Sequence, residues 1–213
     1  MKHLKNYLFA LGCLAAAGLT SCLSDSDSDE NTGISRQEIS QCLAATKGNY
    51  TGKIMFEVEN SNDSNDHIDT LDIDWSVTTD TMVVINQFPQ AAFLENIKDS
   101  TMKAALAAAE PAESKIMINF YQASPIVFLL YPFPIIYDIE YKGEPHKASL
   151  VFWYNTYYSF GQFDTSSRVF QMQLIMAALF LDEDTNRNYL LNSGSNTASL
   201  PIMITNANLS KNQ

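Results

Sequence analysis

An alternation of apolar and polar side chains with a period of two residues is the feature that most limits what this chain can fold into. Residues 70–77 show it most clearly, because every second position is apolar, at Leu71, Ile73, Trp75 and Val77. This period places the apolar side chains on one face of a half-buried β-strand. Residues 53–59 repeat the pattern, and residues 82–85 follow 70–77 after a short turn. Since short turns cannot connect parallel strands, the three segments predict an antiparallel meander.

A helix before these strands is marked by its first residues. Ser35 and Glu38 have the spacing of a capping box, in which each side chain accepts a hydrogen bond from the backbone N–H of the other residue. Ile34 and Ile39 flank this box at the positions of a hydrophobic staple. The sequence therefore predicts a helix over residues 35–47.

The rest of the chain is predicted to form further strands joined by turns, with one helical insertion. Pro89 suits the first turn of a helix and Pro111 ends one, so a helical insertion is predicted near residues 89–110. A hairpin turn is predicted at residues 142–145. The further predicted strands cover residues 115–122, 126–131, 135–142, 147–158, 168–180, 187–191 and 199–206. The predicted fold class is α+β and mainly antiparallel β: a sandwich or a partly open barrel, with an N-terminal helix and the helical insertion.

The N-terminus has the features of a secretory signal. Lys2 and Lys5 precede an apolar run over residues 7–19, and small residues follow it. The segment Leu19-Thr20-Ser21-Cys22 resembles the lipobox of bacterial lipoproteins. This resemblance implies that Cys22 becomes the first mature residue and carries acyl chains such as palmitate. An ordinary signal peptide with an incidental cysteine is the alternative.

Charge and cysteine count limit the partners and the stabilising bonds. The predicted segments are a lipoprotein signal peptide over residues 1–21, an acidic flexible tether over 22–33 and a single β-rich globular domain over 34–213. Without the signal, which has two lysines and no acid, 11 basic and 24 acidic residues give a formal charge of −13. Phosphate binding needs clustered Lys and Arg, so this charge excludes nucleic acid as a partner. With Cys22 lipidated, Cys42 has no cysteine to pair with, and no intrachain disulfide is predicted.

Several short segments of the sequence together resemble those of a family of Bacteroidetes lipoproteins of unknown function. They are the lipobox with its acidic tail, Cys42-Leu43 on a short helix, Gly48-Asn49-Tyr50-Thr51-Gly52 entering a strand, Asn86-Gln87-Phe88-Pro89 before helices, and Lys142-Gly143 in a hairpin. The resemblance implies a β-rich lipoprotein of the outer membrane and brings no catalytic residue onto this chain. An acidic tract behind the lipidated cysteine also resembles the signal for export to the cell surface in that phylum, although serines interrupt the acidic run here.

Motifs for catalysis or metal binding are weak. The histidines His67 and His146 lie beside predicted turns, outside any paired zinc motif, and no nucleophile elbow occurs, so no catalytic residue is assigned. Asp182, Asp184 and Asn186 alternate oxygen ligands as a calcium loop does, but the residue after Asn186 is arginine where such a loop has glycine. Solvated turns are the favoured interpretation, and calcium at these three residues is the alternative.

Residues 152–158 form the densest aromatic cluster. Alternation along a predicted strand places Trp153 and Tyr157 on the same face. These two rings belong either to a second buried layer or to an exposed platform that stacks on a sugar ring. Burial is the favoured interpretation for Trp153, and it moves the expected ligand site to the loops beside His67 or Asp182.

The predicted function is a lipid-anchored, surface-exposed binding or accessory module of the outer membrane, which engages a glycan or an envelope protein. The alternatives are a hydrolase that uses scattered carboxylates and a structural subunit of an envelope or adhesive assembly. An exposed aromatic shelf favours the binding module, and a deep pocket with two facing carboxylates favours the hydrolase. An unpaired, exposed hydrophobic strand edge favours the structural subunit.

Overall fold

The computed structural model describes residues 34–58, 67–154, 159–190 and 199–207, which contain three short helices and ten strands. The helices are α1 (Arg36–Thr46), α2 (Ala91–Leu94) and α3 (Ser100–Ala108). The strands are β1 (Gly48–Val58), β2 (His67–Val77), β3 (Met82–Phe88), β4 (Ala112–Ala123), β5 (Ile126–Pro132), β6 (Ile135–Tyr141), β7 (Glu144–Phe152), β8 (Phe160–Asp164), β9 (Val169–Leu181) and β10 (Leu200–Thr205). Among the helices of these ranges, none combines the length and the apolar character that crossing a membrane requires.

Eight of the strands close into an antiparallel barrel. The order around the ring is β1-β2-β3-β4-β5-β8-β9-β10, and β10 closes it by pairing with both β9 and β1. β1 and β2 pair along their whole length, from Gly48 opposite Val77 to Val58 opposite His67. The predicted class, α+β with a mainly antiparallel sheet and an N-terminal helix, is confirmed. Of the two predicted architectures, a sandwich and a partly open barrel, the barrel is the one that forms, and it is closed.

β6 and β7 form a hairpin outside the ring and pack with the helical insertion. β7 pairs with the C-terminal half of β9, whereas β8 pairs with its N-terminal half. The turn predicted at residues 142–145 is present, with positive φ angles of +57° at Lys142 and +85° at Gly143. The ring of Tyr137 on β6 lies 5.9 Å from that of Phe93 on α2. The helices predicted near 89–110 therefore cover one face of this hairpin.

α1 begins at the predicted capping box and packs against the barrel core. The Ser35 backbone N–H donates to Glu38 Oε2 at 2.8 Å, and the Glu38 N–H donates to Ser35 Oγ at 3.2 Å. Cys42 and Thr46 are buried on the inner side of the helix. The Tyr50 hydroxyl, inside the barrel, donates to the Thr46 carbonyl. Local capping and one buried face thus hold α1 at the barrel, where it packs next to β4 and is bonded to Tyr50 of β1.

Aromatic and branched apolar side chains fill the barrel interior. Tyr50 and Trp75 stack with their ring centroids 5.5 Å apart and 9° between the planes. Phe170 lies 5.2 Å from Tyr50 and 5.1 Å from Phe128. The inward side chains of the predicted meander strands belong to this core, as their alternation indicates. Because the interior is filled, a ligand site is to be sought on the outer surface or at the barrel ends.

The strand predicted over residues 147–158 is wrong at Trp153 and Tyr154, and its residues 155–158 lie outside the described residues. β7 ends at Phe152, which is buried, and Tyr154 two residues later is 68% exposed. The chain leaves the sheet there because β8 takes over the pairing with β9. Trp153 therefore does not lie within a strand that carries aromatic side chains on both faces.

Candidate functional site

The predicted ligand-binding residues lie in different parts of the molecule. Trp153 is half-buried just after β7, and its backbone N–H donates to the Ile175 carbonyl on β9 at 2.9 Å. His67 is the first residue of β2, which is three strands from β9 around the ring. Tyr157 and Cys22 lie outside the described residues. The structure therefore does not gather the described members of this set into one site.

The outward side of β4, β5 and β8 carries apolar and aromatic side chains. We call it the outer aromatic face, and its residues are Met117, Asn119 and Tyr121 on β4, Leu129 and Tyr131 on β5, and Phe160 on β8. Met117 and Tyr121 are 42% and 41% exposed, and Leu129, Tyr131 and Phe160 are half-buried. Contiguous apolar surface of this kind is characteristic of interaction sites.

The sheet register holds these side chains next to one another. Met117 lies directly opposite Tyr131. Leu129 lies opposite Asn119 on one side and Phe160 on the other. Side chains that oppose each other in an antiparallel pair have Cβ atoms about 4.5–5.5 Å apart, so they contact each other. Strand pairing thus fixes the outer aromatic face.

The main chain of Trp153 lies beside β5 and the start of β8. The Ser159 hydroxyl donates to the Trp153 carbonyl, and the Ser159 carbonyl accepts from the Leu130 N–H at 3.0 Å. These two bonds tie the end of β7 to β5. The Trp153 side chain is half-buried, so it is neither the fully buried ring nor the fully exposed platform that the sequence left as alternatives. The next residue, Tyr154, is exposed.

The turn after β9 uses its carboxylate oxygens in hydrogen bonds close to the turn. Asp182 accepts from the Lys147 N–H at 2.8 Å, and its other oxygen lies 2.5 Å from Nδ1 of His146. Asp184 Oδ1 accepts from the backbone N–H and the side-chain amide of Asn186, at 3.0 and 2.7 Å. The Lys147 N–H and then the His146 ring lower the pKa of Asp182. Across the residues that the structure describes, no group of three or more His, Cys, Asp or Glu could hold a metal ion.

A polar cluster fastens this turn to α3 and to the β6–β7 hairpin. Asp99 caps α3 by accepting from the Met102 N–H at 3.0 Å, and its Oδ2 accepts from the Tyr141 hydroxyl at 3.0 Å and from Arg187 at 2.9 Å. The Arg187 guanidinium lies 4.3 Å from the centre of the Tyr189 ring. The Met102 N–H, Tyr141 and Arg187 hold the pKa of Asp99 below its usual value. Burial raises the pKa of Tyr189.

The segment predicted as a strand over residues 187–191 is irregular at residues 187 and 188 and a turn at 189 and 190, and residue 191 lies outside the described residues. The Asn188 side chain donates to the Ala177 carbonyl at 3.0 Å and accepts from the Leu179 N–H at 3.0 Å. The Tyr189 N–H donates to the Leu179 carbonyl at 2.9 Å. The Asn188 side-chain amide and the Tyr189 N–H therefore hold this segment at the edge of β9, and the segment forms no strand there.

The outer aromatic face is not among the predicted sites, although the sequence contained a signal for it. The predicted strand over residues 115–122 has Met117 and Tyr121 at outward positions. The corresponding outward positions of β2 hold Asp72 and Asp74. Outward residues of an alternating strand that are large and apolar, instead of charged, would have indicated a surface with a binding role.

Comparison with known proteins gives a family to which no activity is assigned. The match covers residues 45–181, from the end of α1 to the end of β9, and includes the strands of the outer aromatic face. No curated protein and no solved structure matches the chain. The chain belongs to the family described as Domain of unknown function (DUF4840).

Proposed function

We propose that this protein is a lipid-anchored binding or accessory module of the outer membrane, exposed at the cell surface, whose outer aromatic face contacts a glycan. The observation that carries the proposal is the set of exposed and half-buried side chains on adjacent strands, with Met117 opposite Tyr131 and Tyr121 four residues further along β4. An exposed aromatic shelf is the feature expected of a binding module.

The chemistry of this face suits a sugar. A sugar ring has an apolar C–H side and a rim of hydroxyls, so its binding surface needs aromatic rings beside hydrogen-bonding groups. Tyr121 and Tyr131 combine both in one side chain, and Asn119 adds an amide donor and acceptor on β4. A tyrosine hydroxyl is protonated at neutral pH and can donate, and partial burial raises the pKa of Tyr121 further.

The contacts of the acidic residues near the turn after β9 also favour a binding module over a hydrolase. Both oxygens of Asp182 bond to the β6–β7 hairpin, whereas Asp99 caps α3 with Oδ1 and bonds to Tyr141 and Arg187 with Oδ2. Such carboxylates hold the hairpin, α3 and the turn together. A glycosidase would instead place two carboxyl groups on opposite sides of a sugar in one pocket.

Glycan binding can be tested with a panel of polysaccharides and purified protein. We expect Tyr131→Ala and Tyr121→Ala to weaken binding by about tenfold or more, which is about 1.4 kcal/mol. Ile136→Ala is the matched control, because Ile136 is a large apolar residue that is 44% exposed on β6, a strand that contributes no residue to this face. Equal binding by wild type and both tyrosine variants, or an equal loss in the Ile136 variant, would contradict the proposal.

The anchoring part of the proposal depends on Cys22. We expect Cys22→Ala to lose metabolic labelling with a palmitate analogue and to leave the membrane fraction. Cys42→Ala is the matched control, because Cys42 is 2% exposed in α1 and should leave labelling unchanged. A Cys22 variant that is still labelled and still fractionates with membranes would refute lipid anchoring at this residue.

A further inference from the structure

The ladder between β2 and β3 is the shortest junction in the barrel. β2 pairs with β1 along its whole length, but with β3 only at Ser76 and Val77. Beyond these pairs the strands border a cleft of about 450 Å³, lined by Thr51, Asp72, Ile73, Asp74, Asn86 and Gln87. A β-bulge lies on the β3 side, because Asn86 and Gln87 together oppose the single residue Glu113 of β4. The cleft is therefore built into the strand geometry.

The cleft side of β2 presents main-chain hydrogen-bonding groups. The Thr78 N–H donates to the Met82 carbonyl at 2.8 Å, which identifies the edge of β2 that faces β3. Main-chain groups of successive residues alternate between the two edges of a strand, so those of Asp74 and Asp72 face this same edge. Within the described ranges no strand pairs with them there. Thr70 ends the open stretch, because the preceding aspartate accepts its N–H at 2.7 Å.

The open edge also carries negative charge. Asp72 and Asp74 point outward, and the side chain of Asp72 is 83% exposed. Lys53 on β1 lies directly opposite Asp72, with its Nζ 2.5 Å from the carboxylate. This pair shows that a lysine on an adjacent strand reaches Asp72. A strand added at the other edge would place its outward side chains at the same spacing from both aspartates.

We propose that the edge of β2 at Asp72 and Asp74 is a docking site for an extended segment of a partner protein with Lys or Arg at alternate positions. Main-chain hydrogen bonds to the edge give affinity, and pairing with the two carboxylates gives selectivity for a cationic segment. This site takes a polypeptide and is separate from the outer aromatic face. A second copy of the chain is a poor occupant, because edge-to-edge pairing would set the aspartates of both copies against one another.

Synthetic peptides and the purified full-length protein test this site. The probe is a labelled peptide of about eight residues that alternates Lys with Val or Thr, a length typical of a strand. We expect it to bind at least about tenfold more tightly than the same peptide with Glu in place of Lys, because like charges repel across strands. Methylating the backbone nitrogens on one edge of the peptide should abolish binding, and methylating those on the other edge should not.

Variants of the protein locate the contact. Asp72→Asn combined with Asp74→Asn should weaken binding by about tenfold and reduce its dependence on salt. Asp138→Asn is the matched control, because that carboxylate is 84% exposed on β6. Asp74→Pro removes an N–H on the cleft side and no bond to β1, so it should abolish binding; if this variant fails to fold, the methylated peptides decide. Tyr131→Ala should leave peptide binding unchanged, which separates this site from the proposed glycan site.

Four results would overturn the inference. Three of them come from the peptides: equal binding of the Lys and Glu peptides, full binding of both methylated peptides, and no measurable binding of the Lys peptide to the wild-type protein. Self-association of the protein that the aspartate variants strengthen and the Lys peptide does not inhibit would also overturn it, because the edge would then serve as a contact between copies.

Discussion

The outward sides of β1–β2 and of β4–β5 have opposite chemistry, although their inward sides share one core. β1–β2 presents Lys53, Asp72 and Asp74, whereas β4–β5 presents Met117 and Tyr131. Both are antiparallel pairs, and burial alternates along residues 71–77 of β2 and 114–121 of β4, so neither the pairing nor the core requires the difference. Inward positions are constrained by packing, and outward positions are free to carry a function. The contrast directs the search for function to one aromatic surface and one acidic edge.

The largest expected effect on stability comes from the glycines beneath these two surfaces. A Cβ on Gly52 of β1 would lie 2.2 Å from the Thr205 carbonyl oxygen, which is held in the β1–β10 pairing. A Cβ on Gly161 of β8 would lie 2.3 Å from the Phe128 ring and 2.8 Å from the Gln171 carbonyl oxygen. We expect Gly52→Ala to lower the free energy of unfolding by about 3 kcal/mol, and Gly161→Ala by less, because a ring can move more easily than a paired backbone. Urea unfolding that shows the reverse order would contradict this.

The substitution Trp153→Ala tests whether the residue beside the outer aromatic face also contributes to the stability of the fold. We expect Trp153→Ala to lower the free energy of unfolding by about 2 kcal/mol, less than the 3–5 kcal/mol typical of a fully buried aromatic residue, because its ring is half-buried. Tyr154→Ala is the control and should change stability by at most about 0.5 kcal/mol. A neutral Trp153 variant would make this residue part of the binding surface alone.

Asp99 lies on neither of the two surfaces. Its contribution to the free energy of unfolding depends on pH and can be compared with the effects of changes on those surfaces. Its pKa is lowered in the folded protein, so its contribution to stability is complete above the ordinary carboxyl pKa, about 3.9, and is lost as the pH falls through the folded value. We expect Asp99→Asn, which keeps a capping side chain for α3, to cost about 1 kcal/mol at neutral pH. The difference from wild type should shrink in thermal melts below about pH 4, and a constant difference would contradict the role of the charge.

The smallest effects compare the two surfaces directly. Double-mutant cycles for Lys53 with Asp72 and for Met117 with Tyr131 should each give a coupling of about 0.5 kcal/mol, as cross-strand pairs do. The first coupling should nearly vanish in about 1 M salt, and the second should persist, because screening acts on charges alone. If salt changed both coupling energies equally, the Lys53–Asp72 pair would not be electrostatic or the Met117–Tyr131 pair would not be apolar, and the contrast between the two surfaces would be wrong.

Short-range features of the fold could be predicted from the sequence. The capping box of Ser35 and Glu38 forms as its spacing indicates, because both partners lie within one helical turn. The inward residues of β2 and the hairpin turn at Lys142 and Gly143 were also predictable, since a period of two and a turn sequence depend on neighbours in the chain. Of the candidate site, the sequence predicted only the neighbouring Trp153 and none of the residues of the outer aromatic face.

The tertiary structure alone decided which strands pair and where pairing stops. Closure of the barrel by β9 and β10, and the change from β7 to β8 along β9, join residues far apart in sequence. That change ends β7 at Phe152 and sets Trp153 beside β5, which alternation along residues 147–158 cannot indicate. The short β2–β3 ladder likewise leaves the edge at Asp72 open. Periodicity specifies which side of a strand is buried, but partners and register depend on the other strands available, and that information is spread over the whole chain.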